Sequence, residues 1–353
     1  MDDKTNESPT FNRDIAAAKN AGRKTVGYFC PYIPEELILS ASMLPLRLPI
    51  HNRDGYPYEA TDALLLASPC TIAQPEQAPG HNQIPVLTLE IPVVEDDYDI
   101  TPKATALFKK SLKVLKNKLE KIAGRRISRH DMLAAKTLSS DIREKLRKLY
   151  EYPKMDSSPI EWRELFKITQ NGMLCDRVMF NSELEELGKA LDRKVLEGVP
   201  DDPRPRLMIA GANSLTSDGW LLNMVRELGG NIVTDALCTG SMLLRKRVPL
   251  YGFFENPLDS ITEQYLYNVP APCMGNLNRR LNYILKTVRD FRVHGLIYYA
   301  PSSCGDSQGE IKVIKERLYQ ELLVPTLVLE GDVAGNQLEP RINSFIDIIG
   351  GRV

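Results

Sequence analysis

The sequence lacks a surplus of either charge, a long apolar run, and the close cysteine or histidine pairs that build metal or disulfide frameworks. Its 45 Lys and Arg nearly cancel 46 Asp and Glu, leaving a formal net charge of −1 at pH 7 over 353 residues. Nothing in that balance draws in a polyanion, so no nucleic-acid partner is expected. No run approaches the roughly 18 apolar residues that cross a bilayer, and Met1 to Asn20 lacks the basic-then-apolar order of a secretion signal. A cytoplasmic chain with no membrane contact is expected. Six cysteines are too few for a disulfide scaffold in a chain of this length, and no two stand as C-x-x-C. The four histidines, His51, His81, His130 and His294, form no i, i+4 pair, which argues against zinc. There is no GKS or GKT loop and no G-x-G-x-x-G after a strand, so bound ATP or NAD has no sequence support.

What is present is enough apolar material, 43% of the residues, for more than one core. Short apolar runs at Lys24–Phe29, Leu44–Leu48, Ala63–Ala67 and Pro85–Ile91 read as strands, with an acidic-started helix from Glu35 to Met43 between the first two. Residues 101–200 carry apolar positions at helical spacing through Ala104–Ile122, Arg129–Tyr150, Pro159–Gln170 and Asn181–Leu196. A Pro- and Asp-rich stretch, Gly198–Arg206, leads into further strands at Leu207–Ala210, Asn231–Thr234, Leu296–Ala300 and Thr326–Leu329. Continuous apolar strands alternating with helices predict α/β architecture with two doubly wound parallel sheets. The expected organisation is a polar leader over 1–23, a first α/β module over 24–100, a helical portion over 101–200 and a second α/β module over 201–353. The halves resemble each other: ALLLASPC then IPVLTLEIP in one, LIYYAPSSC then VPTLVLEG in the other.

Ligands in open α/β sheets bind beyond the carboxyl ends of the strands. Cys30, Cys70 and Cys304 each follow such an end. One buried cysteine is ordinarily a small hydrophobe; three at equivalent positions form a candidate ligand set. Sulfur-only ligation from scattered loops suits an iron–sulfur cluster, and three thiolates on a four-iron cluster leave one iron open as Lewis acid and one-electron donor. Cys238 and Cys273 are alternatives for a place in the set, whereas Cys175 lies among helices and reads as structural. Glu35, near Cys30, is a candidate general acid or base or else a stabiliser of its own helix. Arg47, Ser68 and Ser214 are candidate substrate contacts; Ser214 sits in the loop GANSLTSD, where capping of the following helix is the competing role.

The segments GYFCPYIPEEL with LPLRL, the strand ending at Cys70, DALCTG, ITEQYLYNVPAPC, and LIYYAPSSCGDSQGE with VPTLVLEGD and the terminal RINSFIDII occur in an order that resembles the 2-hydroxyacyl-CoA dehydratase family. That family also includes benzoyl-CoA reductase subunits and double-cubane cluster proteins. The resemblance implies two flavodoxin-like domains, a [4Fe–4S] cluster between them, a homologous partner subunit, an ATP-dependent activator iron–sulfur protein and an acyl-CoA substrate. It further implies that one electron enters the thioester carbonyl and that the resulting ketyl radical expels the hydroxyl group. Cys70 and Cys304 match two of the family's cluster cysteines; the third is absent from Pro49–Ser68, leaving Cys30 as the substitute by topology. A related reductase, with a double-cubane cluster, and a cluster-free partner subunit are the alternative functions.

Overall fold

The computed structural model describes residues 9–30, 32–48, 61–68, 84–92, 101–211, 219–244, 256–267, 277–300, 308–330 and 335–351. Two four-stranded parallel sheets organise them. The first contains β1 (Thr25–Tyr28), β2 (Leu44–Arg47), β3 (Ala63–Ser68) and β4 (Val86–Glu90) in the order β2-β1-β3-β4. The second contains β5 (Arg206–Gly211), β6 (Asn231–Ala236), β7 (Gly295–Ala300) and β8 (Thr326–Glu330) in the order β6-β5-β7-β8. The two orders are the same, so the repeat read from the sequence is a repeat of topology. All eight strands expected from their apolar runs form. β1, β2 and β5 are buried at every position, as strands covered on both faces must be. Pro45 is tolerated because, among the described strands, β2 stands at the edge of its sheet, with no outer neighbour needing the missing N–H.

The helices are α1 (Pro9–Asn20), α2 (Glu35–Ser40), α3 (Pro102–Ala123), α4 (Arg129–Leu149), α5 (Trp162–Gly172), α6 (Arg177–Glu197), α7 (Trp220–Glu227), α8 (Pro257–Tyr267), α9 (Leu277–Asp290), α10 (Gln308–Leu322) and α11 (Gly335–Gly350). The helical stretch between the sheets has strong local stops and starts. Thr101 caps α3 through the Ala104 N–H, and Gly124 ends it at φ +68°. Ser128 and Asp131 form a reciprocal capping box on α4, and Asp176 caps α6. On α3 the buried residues Phe108, Leu112, Leu115 and Leu119 make one stripe, which packs on β4 and α8.

Two placements differ from the sequence reading. The polar leader contains α1, whose Ile15 and Ala18 are buried with Phe29, Leu44, Leu46, Leu48 and Leu64 on one side of the first sheet. And α8, which follows β6 in the chain, packs against α3 and α4: its Leu258, Ile261, Tyr265 and Leu266 share one apolar core with β1, β3 and β4. That core also takes in Cys30, Cys238 and Met242, so it runs across the junction of the two sheets.

Candidate functional site at the strand carboxyl ends

Strand order reverses between β1 and β3 and again between β5 and β7, the points at which open α/β sheets leave a crevice for ligand. Cys30 stands two residues beyond β1 and Cys70 two beyond β3; Ser214 stands three beyond β5 and Cys304 four beyond β7. Cys70, Ser214, Cys273 and Cys304 lie outside the described residues. Ser68 closes β3 with an exposed side chain, and its carbonyl accepts from the Ile91 N–H at 2.9 Å. Cys30 and Cys238 are both buried, in the same apolar core. Cys175, in the turn between α5 and α6, is buried and donates from Sγ to the Gly172 carbonyl at 3.5 Å. Among the described residues no three His, Cys, Asp or Glu side chains gather as a metal site.

Arg47 joins the two sheets. It ends β2, is only 5% exposed, and donates from Nε to the Phe29 carbonyl at 3.1 Å and from Nη1 to the Cys238 carbonyl at 2.6 Å. Phe29 is the first residue past β1 and Cys238 the second past β6, so one guanidinium ties carboxyl ends from both sheets. Its Nη2 is buried with no hydrogen-bond partner, and no carboxylate pairs with it among the described residues. The hydroxyl of Thr239, the residue after Cys238, is likewise buried and unpartnered. Unmet buried donors of this kind cost on the order of 1–3 kcal/mol, and more for charged groups, so they are the positions where a ligand gains most.

The loop that presents Cys238 is fixed by Asp235. Its Oδ1 accepts from the backbone N–H of Leu237 at 2.9 Å and of Ser241 at 2.8 Å, and its Oδ2 from Trp162 Nε1 on α5 at 2.8 Å. The Ser241 hydroxyl donates to the Asp235 carbonyl at 2.6 Å and shares a hydrogen bond with the Tyr283 hydroxyl at 2.8 Å. Burial raises the Asp235 carboxyl above its ordinary value, against the pull of these donors. A Cβ at Gly240 would stand 2.4 Å from Asp235 Oδ1, which is why the DALCTG turn needs glycine there.

Two neighbouring acids at the start of α2 reach opposite partners. Glu35 Oε2 accepts from Arg177 Nε at 3.0 Å, from Arg177 Nη2 at 2.9 Å and from the Tyr28 hydroxyl at 3.3 Å. Arg177 in turn donates to the carbonyls of Gly172 and Cys175, each at 2.7 Å, and so holds the α5–α6 turn. Glu36, with a fully buried side chain, pairs with Arg143 at 2.7 Å and accepts from the Tyr265 hydroxyl at 2.7 Å. Burial alone would raise the Glu36 carboxyl, but the Arg143 charge and the Tyr265 hydroxyl bring it below its usual value. Glu35, Arg177, Arg143 and Tyr265 wall a cavity of about 50 Å³ together with Ile33 and Thr169. The Tyr28 hydroxyl, on the same wall, is pushed up by burial and by the charge of Glu35. The sequence reading singled out Glu35 but not Glu36, Arg143, Arg177 or Asp235 as site residues; Asp235, in DALCTG, and Glu36, in GYFCPYIPEEL, lay within quoted motifs.

Comparison with known proteins gives these features a lineage. The family described as 2-hydroxyglutaryl-CoA dehydratase, D-component, matches residues 76–349. The YjiM protein of Escherichia coli (strain K12), provisionally named a dehydratase subunit, is 23% identical over 270 residues, covering 75% of this chain and 68% of that protein. The (R)-phenyllactyl-CoA dehydratase beta subunit of Clostridium sporogenes is 20% identical over 344 residues, covering 89% of this chain and 88% of that one. A mutant laminin-binding adhesin from Streptococcus agalactiae aligns over 94% of this chain and 99% of its own at 11% identity, with a TM-score of 0.20 that is too low to bear on the fold. No helix among the described residues is long and apolar enough to cross a membrane. With the family match extending over most of its length, the chain belongs to the 2-hydroxyglutaryl-CoA dehydratase D-component family.

Proposed function

We propose that the chain is the iron–sulfur subunit of an enzyme that removes water from a 2-hydroxyacyl-CoA thioester, a lyase, with Cys30, Cys70 and Cys304 as the ligands of a [4Fe–4S] cluster. The observation that carries this reading is Arg47. A thiolate-ligated cluster is anionic and tuned by hydrogen bonds to its sulfurs. A buried guanidinium beside Cys30 and Cys238, with one nitrogen unpartnered and no carboxylate to neutralise it among the described residues, fits such a group or an anionic substrate atom next to it. When bound, the cluster supplies a one-electron donor and an open Lewis-acid iron for the thioester carbonyl. Arg47 holds both sheets' strand ends in register and offers its remaining N–H to developing negative charge. Asp235 fixes the loop bearing Cys238. Glu35, with Oε2 engaged by Arg177 and Tyr28, keeps Oε1 to take or give a proton. Ser68, which ends β3, and Ser214, which follows β5 in the sequence, are assigned to the substrate.

The relative from Clostridium sporogenes is a beta subunit, which supports a homologous partner subunit for this chain; an ATP-dependent activator iron–sulfur protein would deliver the electron. The assembly acts in the cytoplasm, under anoxic conditions. Anoxic purification with iron and acid-labile sulfide analysis tests the reading: about four irons per chain support it, about eight point to a double-cubane reductase, and none to a cluster-free partner subunit. Cys70→Ala and Cys304→Ala should each abolish iron binding. Unchanged iron in both variants removes the ligand assignment.

A further inference from the structure

We infer that the open groove between α3, α4 and α8 seats the phosphate-bearing adenosine end of a ligand. The groove encloses about 550 Å³, within the roughly 300–1,000 Å³ of small-molecule sites. Lys113, Lys116 and Arg129 stand on its rim, and the buried side chains of Ile127, Met132 and Leu258 form its floor. Although the whole chain is almost neutral, ten Lys and Arg fall between Lys103 and Arg129 against Glu120 alone.

Among the described residues, Glu120, Asp131 and Asp259, on the elements that form the groove, are already engaged. Glu120 pairs with Lys116 at 2.6 Å and accepts from the Ile127 N–H at 2.7 Å; Asp131 pairs with Arg125 at 2.8 Å; Asp259 pairs with Lys109. Lys113 is exposed and has no ion-pair partner among the described residues. Two helix starts also line the groove: α4 opens at Arg129, and α8 opens at Pro257 behind Asn256. The partial positive charge of both ends adds to that of the side chains. Several cations over an apolar floor suit a ligand with multiple negative charges beside a flat, weakly polar ring. An adenosine polyphosphate has that form. The floor residues belong to the same apolar core as Cys30 and Cys238. The chemistry has two sources, the nucleotide end of CoA and a free nucleotide; in the first case the inference rests on the thioester reading proposed above.

Calorimetric titration of the full chain with CoA and, separately, with ATP tests it. The double substitution Lys113→Glu, Arg129→Glu should weaken binding about 30-fold, while Lys103→Glu, Lys118→Glu, on α3 but outside the groove, should change it by no more than about twofold. Lys113→Ala, a neutral change at an exposed position, should weaken binding in the same direction and guards against misfolding of the double variant. Tighter binding of CoA than ATP assigns the thioester source, and the reverse order assigns a free nucleotide. Absence of binding by both ligands, undiminished affinity in the groove variants, or an equal loss in the Lys103/Lys118 pair overturns the inference. Iron without CoA or ATP binding defeats the groove alone; groove binding without iron defeats the cluster reading alone.

Discussion

Arg47 and Arg143 are both buried cations, yet they are compensated in opposite ways, and the difference predicts how each responds to change. Arg143 faces the fully buried carboxylate of Glu36 at 2.7 Å. Replacing it by Met strands that charge, which should cost about 3–5 kcal/mol. In the intact pair the Glu36 carboxyl titrates below its ordinary value, so its stabilisation is complete above the unfolded value of about 4.3 and is lost as pH falls through the folded value. In Arg143→Met burial, the largest influence on Glu36, is opposed mainly by the Tyr265 hydroxyl; the folded value should rise above the unfolded one, and the variant should gain stability as pH falls from neutrality. Urea midpoints across pH read both signs, and parallel profiles would refute the pairing. Among the described residues Arg47 has only neutral acceptors, the Phe29 and Cys238 carbonyls and the Met173 sulfur, so its geometry matters as much as its charge. Arg47→Lys keeps the charge but cannot reach the Phe29 and Cys238 carbonyls together, and should cost about 2 kcal/mol at unchanged denaturant slope. These roles were only partly legible: Glu35 and Glu36 look alike in sequence as first-turn acids, and their partners lie 142 and 107 residues away. Nothing local announces which arginine each will meet.

At the scale of elements, legibility followed burial. Strands buried on both faces, as β1, β2 and β5 are, must be continuous apolar runs and could be read directly, and the long helices of the middle portion carry both periodicity and caps. Helix α1 escaped because its described contacts with the sheet rest on Ile15 and Ala18, too few to set a pattern in a polar segment. The turn after β6 was visible only as a string of letters, and the structure supplies its logic: Asp235 captures the N–H groups of Leu237 and Ser241, and Gly240 leaves room for the carboxylate. Gly240→Ala should therefore displace Asp235, loosen Trp162 Nε1 and cost about 1–3 kcal/mol. In a Trp220→Phe background, which leaves Trp162 as the sole tryptophan, the emission of Trp162 should shift with the substitution. An unchanged spectrum and thermal midpoint would show that the carboxylate has another resting place.

For the whole molecule, the question is whether two sheets of matching topology behave as two bodies. The sequence repeat suggests separable modules, but the packing crosses between them. Leu258, Ile261, Tyr265 and Leu266 of α8 sit in the core of the first sheet, and Arg47 of the first sheet holds the loop after β6. Burying each of these four side chains contributes about 1.5–3 kcal/mol, which together is comparable with the roughly 5–15 kcal/mol that separates a whole folded domain from its unfolded chain. A fragment comprising residues 201–353 would expose that face of α8 and should not fold alone, while mixing it with the fragment 1–200 should restore structure. The intact chain should unfold in one transition, with circular dichroism, tryptophan emission and hydrogen-exchange protection of β1 and β5 disappearing together. Two resolved transitions, or a cooperatively folded 201–353 fragment, would show that the shared core is too weak to couple the sheets. Long-range coupling of this sort cannot be read from local periodicity, because the apolar face of α8 looks the same whichever sheet it covers.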